Sequence, residues 1–144
     1  MKELAVENKK LEEEIVAIVE KGNEFHDVKS YERALGEYKK AWELIPEPKL
    51  DWEIAGWIAA CIYSAYFDMA AFTNAKKWAE VALQTRGSEI DTAPIMDLGM
   101  VCFELEEYDE SFKYFEDAYS YGKARAFKER PKKYLDFYLS KKNN

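Results

Sequence analysis

Apolar residues recur along most of the chain at the three- and four-residue spacing of amphipathic helices, and no stretch alternates as a strand would. A long first stripe runs from Lys2 to about His26, and its charged part over residues 7–14 is thin enough to project from a packed body. Further helical stripes cover residues 30–44, 50–67, 73–83, 91–105 and 109–121, and Pro131 breaks or starts a last one. The pattern predicts an all-α chain of about seven helices.

Capping and turn residues predict where these helices begin and end. Ser30 is expected to cap the second helix, and Thr73 or Asn74 the fourth, because short polar side chains accept hydrogen bonds from free backbone N–H groups. Arg86 and Gly87 are expected to close the fourth helix. Short turns between the helices favour a series of helical hairpins.

Three segments of the chain align with one another. The first contains Gly22 and the third contains Gly99 at the same position, whereas the second has Tyr63 there. Each segment continues with aromatic and alanine positions at matching spacing, which are Tyr31, Ala34, Tyr38 and Ala41 in the first, Phe72, Ala75, Ala79 and Ala82 in the second, and Tyr108, Phe115 and Ala118 in the third.

These segments resemble the tetratricopeptide repeat, a helix–turn–helix unit of about 34 residues. The resemblance covers residues 15–125 and is weakest in the second segment. It implies a right-handed superhelix of antiparallel helix pairs, an α-solenoid, as a single domain over residues 1–144. The repeats are expected at about 15–48, 50–89 and 91–125, with a C-terminal capping helix at about 126–141. Glycine at Gly22 and Gly99 then lets two helices approach closely.

The net charge of −7 is distributed unevenly. Residues 1–122 contain 13 Lys and Arg against 26 Asp and Glu, whereas residues 123–144 contain 8 against 2. An acidic body repels phosphate, so we expect no nucleic-acid partner. We interpret the basic C-terminal segment as complementing the dipole of the last helix and keeping its end soluble; contact with an acidic surface is the alternative.

The sequence contains little that could support catalysis or bind a cofactor. His26 is the single histidine and is interpreted as a surface or groove-edge residue, and no glycine-rich phosphate loop is present. Carboxylates crowd residues 104–110, which is typical of a solvated face. Cys61 and Cys102 lie in apolar stretches and are expected to be reduced and buried. We therefore predict a cytoplasmic protein that is not an enzyme, without metal, cofactor, secretory signal or membrane span.

In tetratricopeptide arrays the first helix of each pair lines a concave groove that holds peptides or helices. The resemblance therefore implies a partner-binding groove that is acidic, aromatic and rich in methionine. Its predicted residues are Glu20, Asn23, Asp27, Trp57, Phe67, Asp68, Met96, Asp97, Met100, Phe103 and Glu104. Burial of Trp57 and Phe103 under a folded-back last helix is the alternative.

The best-known use of the family is a clamp for the acidic tail of heat-shock chaperones, which needs Lys and Arg beside asparagines. Asn23 matches one asparagine, but the other positions are Val19, Cys61, Ala93 and Asp97. The clamp is missing, so that function is rejected.

The remaining hypotheses concern the class of partner. A basic or basic-apolar polypeptide suits the acidic groove, which makes an adaptor or scaffold the favoured function. A bacterial immunity protein that covers the cationic surface of a toxin is the alternative, and an enzyme or small-ligand binder is a less favoured one. The sequence leaves the oligomeric state open.

Overall fold

The computed structural model describes residues 1–85 and 91–144, and α-helices make up most of both ranges. The helices are α1 (Leu4–Glu7), α2 (Lys9–Asp27), α3 (Tyr31–Leu44), α4 (Glu53–Asp68), α5 (Phe72–Gln84), α6 (Ala93–Glu104), α7 (Tyr108–Gly122) and α8 (Lys132–Lys142). Two 3-10 turns, Lys49–Asp51 and Lys123–Phe127, precede α4 and follow α7. Helices α2 and α3, α4 and α5, and α6 and α7 pack as consecutive pairs. None of these helices is long and apolar enough to cross a membrane.

The predicted first helix is broken at Asn8, which corrects the sequence-based expectation of one continuous helix. The backbone of Asn8 is not helical, and its side-chain oxygen accepts a hydrogen bond from the Leu11 N–H at 3.2 Å, so a new helix begins there. The short α1 is held back against the body, where Lys2 exchanges backbone hydrogen bonds with Asp51 and Glu53. Leu4 is 2% exposed as a result. Because the chain changes direction at the N-capping Asn8, the N-terminal segment packs on the body instead of projecting from it.

The turns inside the three helix pairs share one backbone geometry. Each contains a residue with positive φ, at Lys29, Ala70 and Glu106, followed by the residue that precedes the next helix. In each turn two backbone N–H groups donate to carbonyls in the last turn of the preceding helix, at 2.8 to 3.0 Å.

This shared turn explains why the predicted caps are wrong. Ser30 stands at the N-cap, but its side chain makes no capping hydrogen bond. The turn at Ala70 starts α5 at Phe72, so Thr73 and Asn74 fall inside the first turn of the helix. The predicted closure at Arg86 and Gly87 lies outside the described residues.

Replacing Ala70 by glycine is expected to stabilise the protein by about 0.5 kcal/mol. Alanine at φ 59° carries the steric cost of the left-handed region, about 1–2 kcal/mol, and glycine removes it while giving back part of the gain through unfolded-state entropy. Urea denaturation measures the change. Ala17→Gly, on the exposed face of α2, is the control and should lose about 1 kcal/mol. Equal losses at both positions would contradict the strain argument.

The chain divides into two compact units, Met1–Gly87 and Ser88–Asn144. The core of the first is mainly aliphatic, with Ile15, Val19 and Ile58 fully buried, and it also encloses Tyr38 and Trp52. The second contains an aromatic cluster in which Phe115 lies 5.1 Å from Phe127 and 6.0 Å from Tyr134 between ring centroids.

The two repeat glycines stand where helices of a pair meet. A Cβ at Gly22 would lie 2.6 Å from the ring of Tyr38, and one at Gly99 would lie 2.4 Å from the ring of Phe115. No side chain fits at either position, as the sequence predicts. In the second pair the large and the small side chain have changed helices. Tyr63 on α4 occupies the glycine position, and the fully buried Ala79 on α5 occupies the position of the large aromatic residue.

Candidate partner-binding surface

The predicted groove residues belong to three helices. Glu20, Asn23 and Asp27 lie on α2, Trp57, Phe67 and Asp68 on α4, and Met96, Asp97, Met100, Phe103 and Glu104 on α6. The first six belong to the first unit and the other five to the second. The two groups differ in what covers them.

A chain of hydrogen bonds joins the ends of α2 and α4 in the first unit. The hydroxyl of Tyr38 donates to Asn23 Oδ1 at 2.6 Å and lies 3.3 Å from His26 Nδ1. His26 Nε2 is in turn 2.7 Å from Asp68 Oδ2. Burial raises the pKa of Tyr38 well above its ordinary value, and the nearby Cys61 and Asp27 raise it further, so the hydroxyl stays protonated. His26 thus positions Asp68 at the edge of the predicted groove.

The acidic residues Glu20 and Asp27 are exposed on α2. The side chain of Asp68, beside His26, is 43% exposed. Phe67 is partly buried, with its ring 5.2 Å from that of Phe72. Trp57 is 41% exposed. These positions leave carboxylates and an aromatic ring accessible to a partner.

Trp57 borders a cleft of about 320 Å³ near the beginnings of α2 and α4. The cleft has an apolar part, formed by Leu4, Ala5 and Ile54. It also has an acidic part, formed by Glu3, Glu12 and Glu53. Sequence periodicity missed this cleft, because one wall is formed by α1 after the break at Asn8.

In the second unit the C-terminal segment binds the predicted groove residues. Arg130 Nη1 donates to Asp97 Oδ1 at 2.7 Å and contacts Met100 Sδ at 3.1 Å. Glu104 accepts a hydrogen bond from the Tyr134 hydroxyl at 2.8 Å and pairs with Lys133 Nζ at 2.9 Å. The acidic residues of α6 are therefore neutralised within the chain.

Phe103 is enclosed by three aromatic rings of the same unit. Its ring centroid lies 5.4 Å from Tyr108 and Tyr134 and 5.1 Å from Phe137, each in an edge-on arrangement. Met96 is fully buried and Met100 is 8% exposed. The predicted alternative, burial under a folded-back last helix, therefore holds for Phe103, which α8 contacts through Tyr134 and Phe137. It does not hold for Trp57, which is exposed.

The basic C-terminal segment therefore contacts an acidic surface, which sequence analysis held as the lesser alternative. Lys141 pairs with Asp109 at 2.9 Å and Lys142 with Glu116 at 3.3 Å, in addition to the pairs of Arg130 and Lys133. The opposite charges of residues 1–122 and 123–144 indicate that the two parts of the sequence could form ion pairs. Charge alone does not show that the acidic partners lie on α6 and α7.

Arg130→Met is expected to cost about 2 kcal/mol at pH 7, because it removes the guanidinium that pairs with the largely buried Asp97 carboxylate. Burial already raises the pKa of Asp97, an effect that Arg130 opposes, so the variant's Asp97 pKa should rise further. A carboxyl with a raised folded-state pKa makes the free energy of unfolding fall as pH rises from the unfolded pKa through the folded pKa. The cost should therefore shrink towards pH 4 in urea denaturation series.

The control for this change is Arg125→Met, which removes an exposed arginine from the preceding 3-10 turn. It should leave the midpoint of urea denaturation nearly unchanged at both pH values. A cost for Arg130→Met that is independent of pH would show that the arginine acts through packing rather than through Asp97.

The thiol of Cys102 and the carboxylates of Glu107 and Glu110 have ligand atoms within 4.8 Å of one another. The two glutamates belong to the carboxylate-rich segment that the sequence identifies as a solvated face. Cys61 is partly buried, and burial raises the pKa of its thiol to about 11, so it is protonated at neutral pH. Cys102 is buried and Cys61 partly buried, so neither thiol has the exposure of a reactive cysteine.

No family model matches the sequence, and no curated protein matches it. Among solved structures, the first tetratricopeptide domain of Spaghetti (RPAP3) bound to the HSP90 peptide SRMEEVD superimposes with a TM-score of 0.66 at 18% identity, over 90% of this chain and 93% of that one. The chain has the tetratricopeptide fold.

A crystal structure of MamA is similar to the same degree. Its TM-score is 0.66 at 17% identity, over 90% of this chain and 78% of that one. The tetratricopeptide fold that the repeat pattern predicted is thus confirmed, and with it the all-α solenoid class.

Proposed function

We propose that the protein is a non-catalytic interaction module that binds a basic or basic-apolar polypeptide. The binding surface is the acidic and aromatic part of the first unit. It is formed by the exposed residues Glu20, Asp27, Trp57 and Asp68 and by the partly buried Phe67. The acidic residues of α6 are assigned to holding the C-terminal segment instead.

The observation that supports this proposal is how the second unit binds its own C-terminal segment. Acidic and aromatic residues of α6 hold a C-terminal segment that is basic and aromatic, through Asp97 with Arg130, Glu104 with Lys133, and Phe103 with Phe137. Repeats of one fold present equivalent positions, so α2 and α4 offer related chemistry. In the first unit that chemistry faces solvent at Glu20, Asp27 and Trp57.

Charge also argues for a basic partner over an acidic one. The RPAP3 domain binds a peptide ending in Glu-Glu-Val-Asp. The exposed groove residues of the first unit carry carboxylates, which repel such an end and attract lysine and arginine. Tryptophan is among the residues that most often supply a large share of the binding energy at a protein interface, and Trp57 is exposed.

The test is a titration of basic, neutral and acidic peptides of equal length against the whole chain at increasing ionic strength. Basic peptides should bind best, and their affinity should fall as salt screens the carboxylates. Glu20→Gln with Asp27→Asn should weaken binding about fivefold. The control pair Glu32→Gln and Glu43→Gln removes equal charge from α3 and should have a smaller effect. Salt-independent binding, or equal effects of the two pairs, would overturn the proposal.

A further inference from the structure

The cleft beside Trp57 combines an exposed aromatic ring with acidic side chains. Trp57 and Glu53 stand on the first turns of α4, Glu12 on the first turn of α2, and Glu3 just before α1. The remaining lining, Leu4, Ala5 and Ile54, is apolar. Its volume of about 320 Å³ is at the lower end of the range for small-ligand pockets.

The charge of the three glutamates is the second feature of the cleft. Among the residues that the structure describes, no lysine or arginine pairs with Glu3, Glu12 or Glu53. The nearby Lys2 lies instead over the ring of Trp52, at 5.3 Å. A cleft with three carboxylates and an aromatic face has the charge and the quadrupole to attract a cation.

The chain itself binds cations with this combination of groups. Each of three lysines of α8 lies over an aromatic ring and beside a carboxylate. They are Lys133 over Phe103 with Glu104, Lys141 over Phe112 with Asp109, and Lys142 over Tyr119 with Glu116. The Trp57 cleft presents the same two kinds of group, an aromatic ring and carboxylates. Its ring is a tryptophan, which attracts cations more strongly than phenylalanine or tyrosine.

We infer that the cleft is the anchoring site for a single lysine or arginine side chain of the basic-apolar polypeptide partner. The cation lies over Trp57 between Glu12 and Glu53, and its aliphatic stem packs on Leu4 and Ile54. The inference rests on the proposed function and names the residue type that the first unit recognises.

The experiment follows Trp57 directly, by fluorine NMR of the whole chain labelled with 5-fluorotryptophan. The chain has four tryptophans, and Trp57→Phe assigns the resonance. The probes are a 12-residue amphipathic helical peptide of leucine and lysine and a matched peptide with glutamine in place of lysine. The lysine peptide should move the Trp57 resonance and the glutamine peptide should not.

Variants then separate the cleft from the rest of the surface. Glu12→Gln with Glu53→Gln should weaken binding of the lysine peptide about tenfold, the loss expected for a cation held by a ring and two carboxylates. Glu32→Gln with Glu43→Gln, of equal charge on α3, is the matched control and should weaken it less than threefold.

The possible failures are distinguishable. If the lysine peptide binds in a salt-dependent way but leaves the Trp57 resonance and the Glu12 and Glu53 variants unaffected, the anchoring site is elsewhere and only this inference is overturned. If the lysine and glutamine peptides bind alike, or neither binds, the proposed function fails as well. A Trp57 shift that depends on protein concentration without peptide would indicate self-association and overturn the inference.

Discussion

Gly99→Ala is expected to lower the free energy of unfolding by about 3 kcal/mol, the upper end for overpacking a core. The new Cβ would lie 2.4 Å from the Phe115 ring, which is fully buried. That ring cannot move away easily, because Phe127, Tyr134 and Phe137 surround it with centroids 5.1 to 6.3 Å away. The change therefore separates α6 from α7. Urea denaturation monitored by circular dichroism measures the loss.

The control is Gly36→Ala, since a Cβ at Gly36 meets nothing within 4 Å on the exposed side of α3. It should stabilise the protein by about 0.5–1 kcal/mol, the helix-propensity difference between the two residues. Adding Phe115→Leu to Gly99→Ala should recover part of the loss by making room for the Cβ. If Gly99→Ala and Gly36→Ala behaved alike, the close approach of α6 and α7 would not need glycine.

The exchanged sizes in the second helix pair explain why that repeat is hard to recognise from sequence. Its aromatic residue stands on the first helix, at Tyr63, and its small residue on the second, at Ala79. The pair still contributes one large and one small side chain, so volume is conserved while the residue pattern is reversed. A repeat can depart from the consensus at two positions and keep the fold.

The helices and the repeat glycines could be predicted from the sequence because they depend on local periodicity and on contacts within one hairpin. The approximate ranges of α3, α6, α7 and α8 follow from apolar spacing and from Pro94 and Pro131. The break at Asn8 was missed because helix-favouring residues continue on both sides of it. The start of α5 was missed because Ala70 adopts positive φ without being glycine.

The candidate site was predicted less completely because it depends on contacts between distant segments. Arg130 and Asp97 are 33 residues apart, and His26 and Asp68 are 42 apart. Repeat register identified the helices that carry Asp97, Phe103 and Trp57, but it did not show that the C-terminal segment covers Asp97 and Phe103. Only the structure separates the residues that hold α8 from those that face solvent.

The two aromatic residues of the predicted groove should therefore respond differently to truncation. Phe103→Ala is expected to cost about 3 kcal/mol, because Tyr108, Tyr134 and Phe137 lose the ring between them. Trp57→Ala should cost less than about 1 kcal/mol, because 41% of that residue is already exposed. Thermal and urea denaturation of the two variants measure this contrast.

Binding should show the reverse order. Trp57→Ala should weaken the affinity of the chain for the lysine peptide about tenfold, the value of one aromatic anchor for a cation. Phe103→Leu, which keeps an apolar side chain in the α8 contact, is the control and should leave that affinity unchanged. Loss of several kcal/mol of stability in Trp57→Ala would instead make Trp57 a packing residue, and the acidic surface of the first unit would have to bind without an aromatic anchor at that cleft.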